Sequence, residues 1–159
     1  MDSSRGNDAV AWLAAAAPDP AACRREWERS AGGVVLLPAG RRWDLLRVPA
    51  RLGLPALRVL TDAPVARGSG RLPGPVLTDP GDDTVGYLVP VGTAARWVGT
   101  GVHGAGAGAW VAIPHPARRS RGLRWLLAPD GSGRLTDPAA LELALHEAAA
   151  GSGGPWGPR

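Results

Sequence analysis

Apolar positions along the chain fall into short blocks separated by glycine and proline. Val34–Leu37 and Trp43–Val48 are two apolar runs split by Pro38-Ala39-Gly40, and a run with helical spacing, Pro55–Leu60, follows. That order predicts strand, turn, strand, helix. Alternate residues of the second strand face opposite ways, so Trp43, Leu45 and Arg47 share one side and Asp44, Leu46 and Val48 the other. Upstream, Asp8 is placed to cap a helix over Ala9–Ala17 that Pro18 ends. Asp19 caps a second helix, with Pro20 at its first position, that runs to about Ser30 and stops at Gly32-Gly33. Trp12, Leu13 and Trp27 are the inward anchors of this pair, and Arg24, Arg25, Glu26, Glu28 and Arg29 form a solvated face.

Downstream, Val76–Leu77 and Val85–Val91 read as strands around the acid-rich turn Asp79–Asp83. Thr93 starts one helical turn through Trp97, and Gly99–Gly108 is a glycine-rich loop. Trp110–Ile113 and Leu123–Leu127 are further strands. Asp137 and Pro138 open a last helix with Leu141, Leu145 and Ala148 facing in and Gly151 past its end. Residues 62–75, rich in Gly and Pro, form a loop and a candidate for disorder. Trp43, Leu45, Trp110 and Leu126 are expected in the core, each burial worth about 1.5–3 kcal/mol. Helices flanking a run of strands with irregular turns point to an α+β fold with a mixed or antiparallel sheet. One domain spans 8–150, between a polar, disordered N-terminus over 1–7 and a flexible tail over 151–159 that carries Trp156.

Composition modifies this picture in three places. The chain has 159 residues, 23 Gly, 16 Pro and no Phe, and it lacks Lys and Gln altogether. That bias reads as the coding preference of a GC-rich genome. The net charge of +4 therefore reflects Arg standing for Lys as much as any nucleic-acid partner. The single cysteine, Cys23, excludes an internal disulfide and a multi-cysteine zinc site. Arg24 and Arg25 could activate its thiolate, but no His or Asn neighbour marks a nucleophile, and an inert thiol is the preferred reading. No apolar stretch approaches the roughly 20 residues of a membrane span. Ala9–Ala17 lacks the basic flank of a signal peptide. A cytoplasmic protein with no membrane partner is expected.

Local constellations are sparse. Gly99–Gly104 matches G-x-G-x-x-G, but a dinucleotide fingerprint needs a following helix and an acid about 20 residues on. Here glycine and then a strand follow, and positions 120–124 hold no acid. His103, His115 and His146 are too scattered to suggest a metal site. Asp79, Asp82 and Asp83 read as an acid-rich turn in preference to a cation site. Arg118, Arg119, Arg121 and Arg124, beside Trp125, form the densest basic cluster. Arg41, Arg42, Arg47, Arg51 and Arg58 form a second group. Guanidinium forks suit phosphates and an indole can stack a base, against the alternative of a solvated turn in an Arg-biased chain.

Several segments together resemble the N-terminal domain of bifunctional DNA primase-polymerases, of the archaeo-eukaryotic primase superfamily. GVVLLPAG resembles the family's strand and glycine before its first catalytic strand, and WDLLRVPARLGLPALRVL resembles that strand with its turn and helix. DDTVGYLVPVG resembles the strand pair that carries a histidine. GVHGAGAGAWVAIPHP resembles the glycine-rich stretch leading into a strand and a double-proline end, and RGLRWLLAPDG the hairpin strand after it. The resemblance covers roughly Gly33 to Gly131 and implies a primase-polymerase-like fold. It also implies two metal ions held by paired carboxylates. The matching positions here are Arg47 and Pro49; the histidine falls near Val85 or Gly86, and the third acid falls at His103. By this register every catalytic position is replaced, so no metal or cofactor is expected. The leading expectation is a domain without catalysis that still binds DNA, RNA or a nucleotide. A protein-interaction module retaining only the fold is the second, and an enzyme with relocated acids such as Asp44 and Asp79 the third.

Overall fold

A computed structural model describes residues 3–30, 32–62, 72–99, 101–118, 120 and 122–151. Helices α1 (Ser3–Ala14) and α2 (Pro20–Arg29) lead into strands β1 (Val34–Pro38) and β2 (Asp44–Pro49). Helix α3 (Ala50–Asp62), strands β3 (Val76–Asp79) and β4 (Thr84–Val89) and the single helical turn α4 (Thr93–Arg96) follow. Strands β5 (His103–Ala105), β6 (Trp110–Pro114) and β7 (Arg124–Leu127) precede the last helix, α5 (Pro138–Gly151). The fold is α+β, and every strand pair is antiparallel.

Two sheets are present among the described residues: a β1–β6 ribbon and a five-stranded sheet in the order β5-β2-β4-β3-β7. The alternation of β2 explains the layering. Leu46 and Val48 join Val76, Val85, Tyr87 and Val89 in a core against Ala56 and Leu60 of α3 and Leu141, Ala144 and Ala148 of α5. Trp43 and Leu45 join Leu77, Leu88 and Ala105 in a second core against Leu13, Trp27, Val35, Leu37, Val111 and Ile113. The sheet thus carries α3 and α5 on one face and α1, α2 and the ribbon on the other.

Local chemistry sets the joints. The Asp19 carboxylate accepts from Ala22 N at 3.1 Å and that of Asp137 accepts from Ala140 N at 2.9 Å, the two caps expected from sequence. Gly40 sits at φ +86 in the β1–β2 turn, where its backbone lies directly on that of Ala107; no side chain fits. Gly53 holds α3 against the sheet: a Cβ there would lie 2.8 Å from Val85 Cβ and 3.0 Å from Val48 Cγ2. The Tyr87 hydroxyl donates to the Gly53 carbonyl at 2.6 Å across the same contact.

Several expectations need correction. Helix α3 begins at Ala50, directly after β2, and contains Pro55 in its interior instead of starting there. The Ala50 N–H donates to Asp83 O at 2.9 Å, so the helix start is fixed from the neighbouring turn. The glycine-rich stretch 99–108 is not all loop, because β5 pairs with β2 within it. Trp43 and Leu45 are fully buried, but Trp110 is 56% exposed. It opens β6 opposite Pro38 on the outer face of the ribbon, while Val111 and Ile113 take the inner face. Leu126 and Leu145 are half-buried. Helix α1 begins at Ser3, earlier than the Asp8 cap would place it. Residues 63–71 of the expected loop, and Trp156 with the rest of 152–159, lie outside the described residues.

Candidate nucleic-acid interface

Cross-strand register builds one row of residues over the second face of the sheet. Trp125 pairs with Leu77, Leu77 with Gly86, Gly86 with Arg47, and Arg47 with His103. Directly paired residues share a face, and at about 4.8 Å per strand the row spans about 19 Å. His103 is exposed, Arg47 and Trp125 are half-exposed, and Gly86 and Leu77 are buried. A Cβ on Gly86 would lie 2.9 Å from Leu45 Cδ1, so the Leu45 side chain fills the space in front of it. Pro49 lies two residues beyond Arg47, opposite Thr84. Arg47 and His103, two of the positions singled out in sequence, are therefore direct neighbours, with Arg47 on β2 between β4 and β5.

At the Trp125 end of the row, Arg118 and Arg124 line a cavity of about 250 Å³ with Ser120, Leu123, Trp125 and the prolines 114 and 116. No carboxylate is among its described lining residues. Ser120 donates its hydroxyl proton to Leu123 O, which closes the turn around the cavity. The Trp125 indole N–H donates to Pro114 O at 3.0 Å. That bond satisfies the N–H and holds the ring on the ribbon, where it packs partly against the core and partly lines the cavity. Arg119 and Arg121 lie outside the described residues.

Next to this cavity His115 packs edge-on against Trp27, with ring centroids 5.6 Å apart. Its Nδ1 accepts from Ala117 N at 3.0 Å. Burial lowers its pKa from 6.5, the Arg118 charge lowers it further, and Glu28 opposes them. His115 is thus neutral at pH 7, and the positive charge of the cavity comes from arginine.

Arg41 and Arg42 are exposed but do not join this cluster. The ribbon pairs Val34 with Pro114 and Pro38 with Trp110, so the β1–β2 turn and the Arg118 turn sit at opposite ends of it. The two basic groups of the sequence are separate patches.

The acids do not converge either. Asp44 pairs with Val89, while Asp79 pairs with Thr84, which faces Pro49 at the other end of β2. The two carboxylates belong to opposite faces as well. Asp44 is 1% exposed, and its Oδ2 accepts from Gly92 N at 2.9 Å and Ala94 N at 3.0 Å, tying α4 to the sheet. Asp79 Oδ1 accepts from Asp82 N at 3.3 Å within its own turn. Among the described residues no group of three or more His, Cys, Asp or Glu is arranged to hold a metal. Cys23 is buried, and its thiol is pushed up to about 11, by desolvation first and Glu26 second, with Arg24 opposing. The Gly99–Gly104 motif does not open a helix, because β5 already begins at His103 within it.

Among the cavities not anticipated from sequence is one of about 440 Å³. It lies between β2, α3 and α5 on the opposite face, and the only sequence signal for it is Glu142 and His146, one helical turn apart on α5.

No described helix is long and apolar enough to cross a membrane. No family model matches the chain, and neither a curated protein nor a solved structure matches it.

Proposed function

We propose that this domain binds phosphate-bearing ligands, single-stranded nucleic acid or a nucleotide, as a degenerate primase-polymerase-like fold without polymerising activity. The observation that carries the reading is the cavity in which Arg118 and Arg124 stand beside a fixed Trp125 with no acid among its described lining residues. Guanidinium groups pair with phosphate oxygens and the indole offers a stacking surface for a base. Arg47 and His103 lie on the same face of the sheet but are separated from Trp125 by the buried Leu77 and Gly86, so the reading rests on the cavity itself. Loss of catalysis follows from Arg47 and Pro49 at the positions where the resemblance needs acids, and from Asp44 being committed to two backbone amides.

The test is a fluorescence-anisotropy titration with a labelled single-stranded oligonucleotide over a salt series. Binding weakens with salt, by about 0.7 log units per log unit for each phosphate contact on a single strand. Arg118→Ala with Arg124→Ala lowers affinity and flattens that slope while the thermal midpoint stays within a few degrees. Unchanged binding in this double variant moves the site to Arg41 and Arg42. Nucleotide incorporation with Mg²⁺ or Mn²⁺ overturns the absence of catalysis.

A protein-interaction module is the second reading. Leu36 and Trp110, 60% and 56% exposed, share the outer face of the ribbon and favour it. No oligonucleotide binding by the parent at low salt leaves this reading in place of the first.

A further inference from the structure

The β1–β6 ribbon has two strands, so each has one edge without a strand beside it among the described residues. The phase of the ladder says which residues use that edge. His115 N donates to Gly33 O and Ala39 N to Ala109 O, both at 2.9 Å, which puts Val35–Ile113 and Leu37–Val111 on the hydrogen-bonded rungs. Val34, Leu36 and Pro38 on β1 and Trp110, Ala112 and Pro114 on β6 alternate with these rungs and aim their backbone groups outward. Both prolines fall in this outward set, where a missing N–H costs the ladder nothing. Neither strand carries a charged residue, the usual protection of an edge.

On β6 the outward groups are those of Trp110 and Ala112 and the carbonyl of Pro114. Pro114 O already accepts from the Trp125 indole. Trp110 and Ala112 remain, two positions apart, and no turn or loop bond among the described residues occupies their amides or carbonyls. Two such residues are what an antiparallel strand needs to exchange four hydrogen bonds. A second β6 supplies the same two. With a two-fold axis at Val111, Trp110 of each copy stands opposite Ala112 of the other, and neither proline is asked for a donor.

The side chains fit the same register. Leu36 and Trp110, the large exposed residues of the ribbon, lie on its outer face. Directly paired residues share a face, so the row across the joined strands reads Leu36, Ala112, the second copy's Trp110 and its Pro38. At about 4.8 Å per strand, Leu36 and that indole are about 9.6 Å apart at Cα with a methyl group between them. The indole leans over Ala112 onto Leu36, and the two-fold repeats the contact. Pairing through β1 would set Val34 against Leu36 and leave Trp110 uncovered.

We propose that β6 pairs with β6 of a second copy of this chain, Trp110 against Ala112, and joins two ribbons into one four-stranded sheet. The interface is isologous and small, so the pair exchanges with the monomer. It gives the ribbon face a partner and holds whether or not the domain binds phosphates.

Sedimentation equilibrium of the full chain from about 10 μM to about 500 μM tests this, the range of a small, exchanging interface. The mass rises toward twice that of the monomer, and still does so in about 0.5 M salt, where phosphate contacts are screened. Trp110→Ser weakens the association at least about tenfold and leaves the thermal midpoint within a few degrees, because the indole is exposed. Ala112→Pro, which keeps the indole but removes an outward donor, weakens it as much. An oxidised mixture of Trp110→Cys and Ala112→Cys forms a disulfide-linked dimer, because opposed residues on a hydrogen-bonded rung stand about 5.5 Å apart at Cα, and neither variant does so alone. A monomer at every concentration overturns the pairing without bearing on oligonucleotide binding. A dimer that survives both Trp110→Ser and Ala112→Pro, or cross-linking by a single variant equal to that of the mixture, overturns the edge and its register.

Discussion

Asp44 is where the structure makes its sharpest energetic claim. The side chain is almost fully buried, and its Oδ2 is the acceptor for two amides, Gly92 N and Ala94 N, nearly fifty positions along the chain. Hydrogen bonds to a charged acceptor contribute about 1.5–3 kcal/mol each. The other oxygen, Oδ1, is buried without a partner, which offsets about 1–3 kcal/mol of that gain. Replacing Asp44 by Ala removes the acceptor and leaves both amides unpaired, for a net loss of about 3 kcal/mol. That is a large part of a domain stability of about 5–15 kcal/mol. With a urea slope of about 2 kcal/mol per molar, the unfolding midpoint falls by about 1.5 M. Tryptophan fluorescence against urea reads this, and amide exchange reads its location: Gly92 and Ala94 lose protection before the β4 amides do. Asp44→Asn retains an acceptor for both amides and loses less than half as much. A midpoint shift below about 0.5 M in Asp44→Ala would refute the anchoring role. A loss of nucleotide chemistry without loss of stability would return Asp44 to a catalytic reading.

Three further outcomes follow from the packing and the titrating groups. Gly53→Ala lowers stability by about 1–2 kcal/mol in thermal unfolding, because overpacking against Val85 and loss of the Tyr87 bond exceed the gain in helix propensity of about 1 kcal/mol; a stabilised variant contradicts the close approach of α3. Cys23 reacts with Ellman's reagent at pH 8 only as the protein unfolds, since its pKa near 11 leaves about one thiol in a thousand ionised; rapid labelling of the native protein contradicts its burial. His115 has a folded pKa below its ordinary 6.5, so the unfolded chain binds the extra proton first and stability declines as pH falls below about 6.5. Urea midpoints at pH 7.5 and 5.5 show that decline, and His115→Gln reduces it; an unchanged slope in the variant assigns it elsewhere.

The parts of the fold legible in sequence were those decided locally. Asp19 with Pro20 and Asp137 with Pro138 mark helix starts through atoms three residues away, and both caps form. The alternation of β2 sorted Leu45 and Leu46 into different cores. What escaped depended on distant partners. The short β5 is a strand only because Arg47 and Leu46 of β2 pair with it; by composition it is glycine loop. Pro55 looked like a helix start, but Asp83 O receives the Ala50 N–H and sets the start one and a half turns earlier. Trp110 and Val111 are both apolar neighbours on a strand, and which one turns inward is decided by α2, whose Trp27 donates to Ile113 O at 3.2 Å. The basic cavity was half legible for the same reason. Arg118, Arg124 and Trp125 are close in sequence, whereas the separation of Arg41 and Arg42 from them required the direction of the ribbon. The cavity at Trp97 draws on three remote segments and left no pattern beyond two polar residues on α5.

The ribbon also orders events in time. Its strands, β1 and β6, are far apart in the chain, and the Trp27 bond to Ile113 spans 86 positions. Both edge strands of the main sheet, β5 and β7, also arrive after its centre has been made. On a ribosome, α1, α2 and β1 therefore emerge with their apolar sides uncovered and wait until β6 is synthesised. Among the described strand pairs, the β3–β4 hairpin is the one that can close at once, around the turn Asp79–Asp83. Contacts of this span slow folding and prolong the exposure of unpaired strands. A nascent chain stalled before Trp110 would remain accessible to a protease across 34–38, and protection of that segment would appear in one step once Pro114 has cleared the exit tunnel.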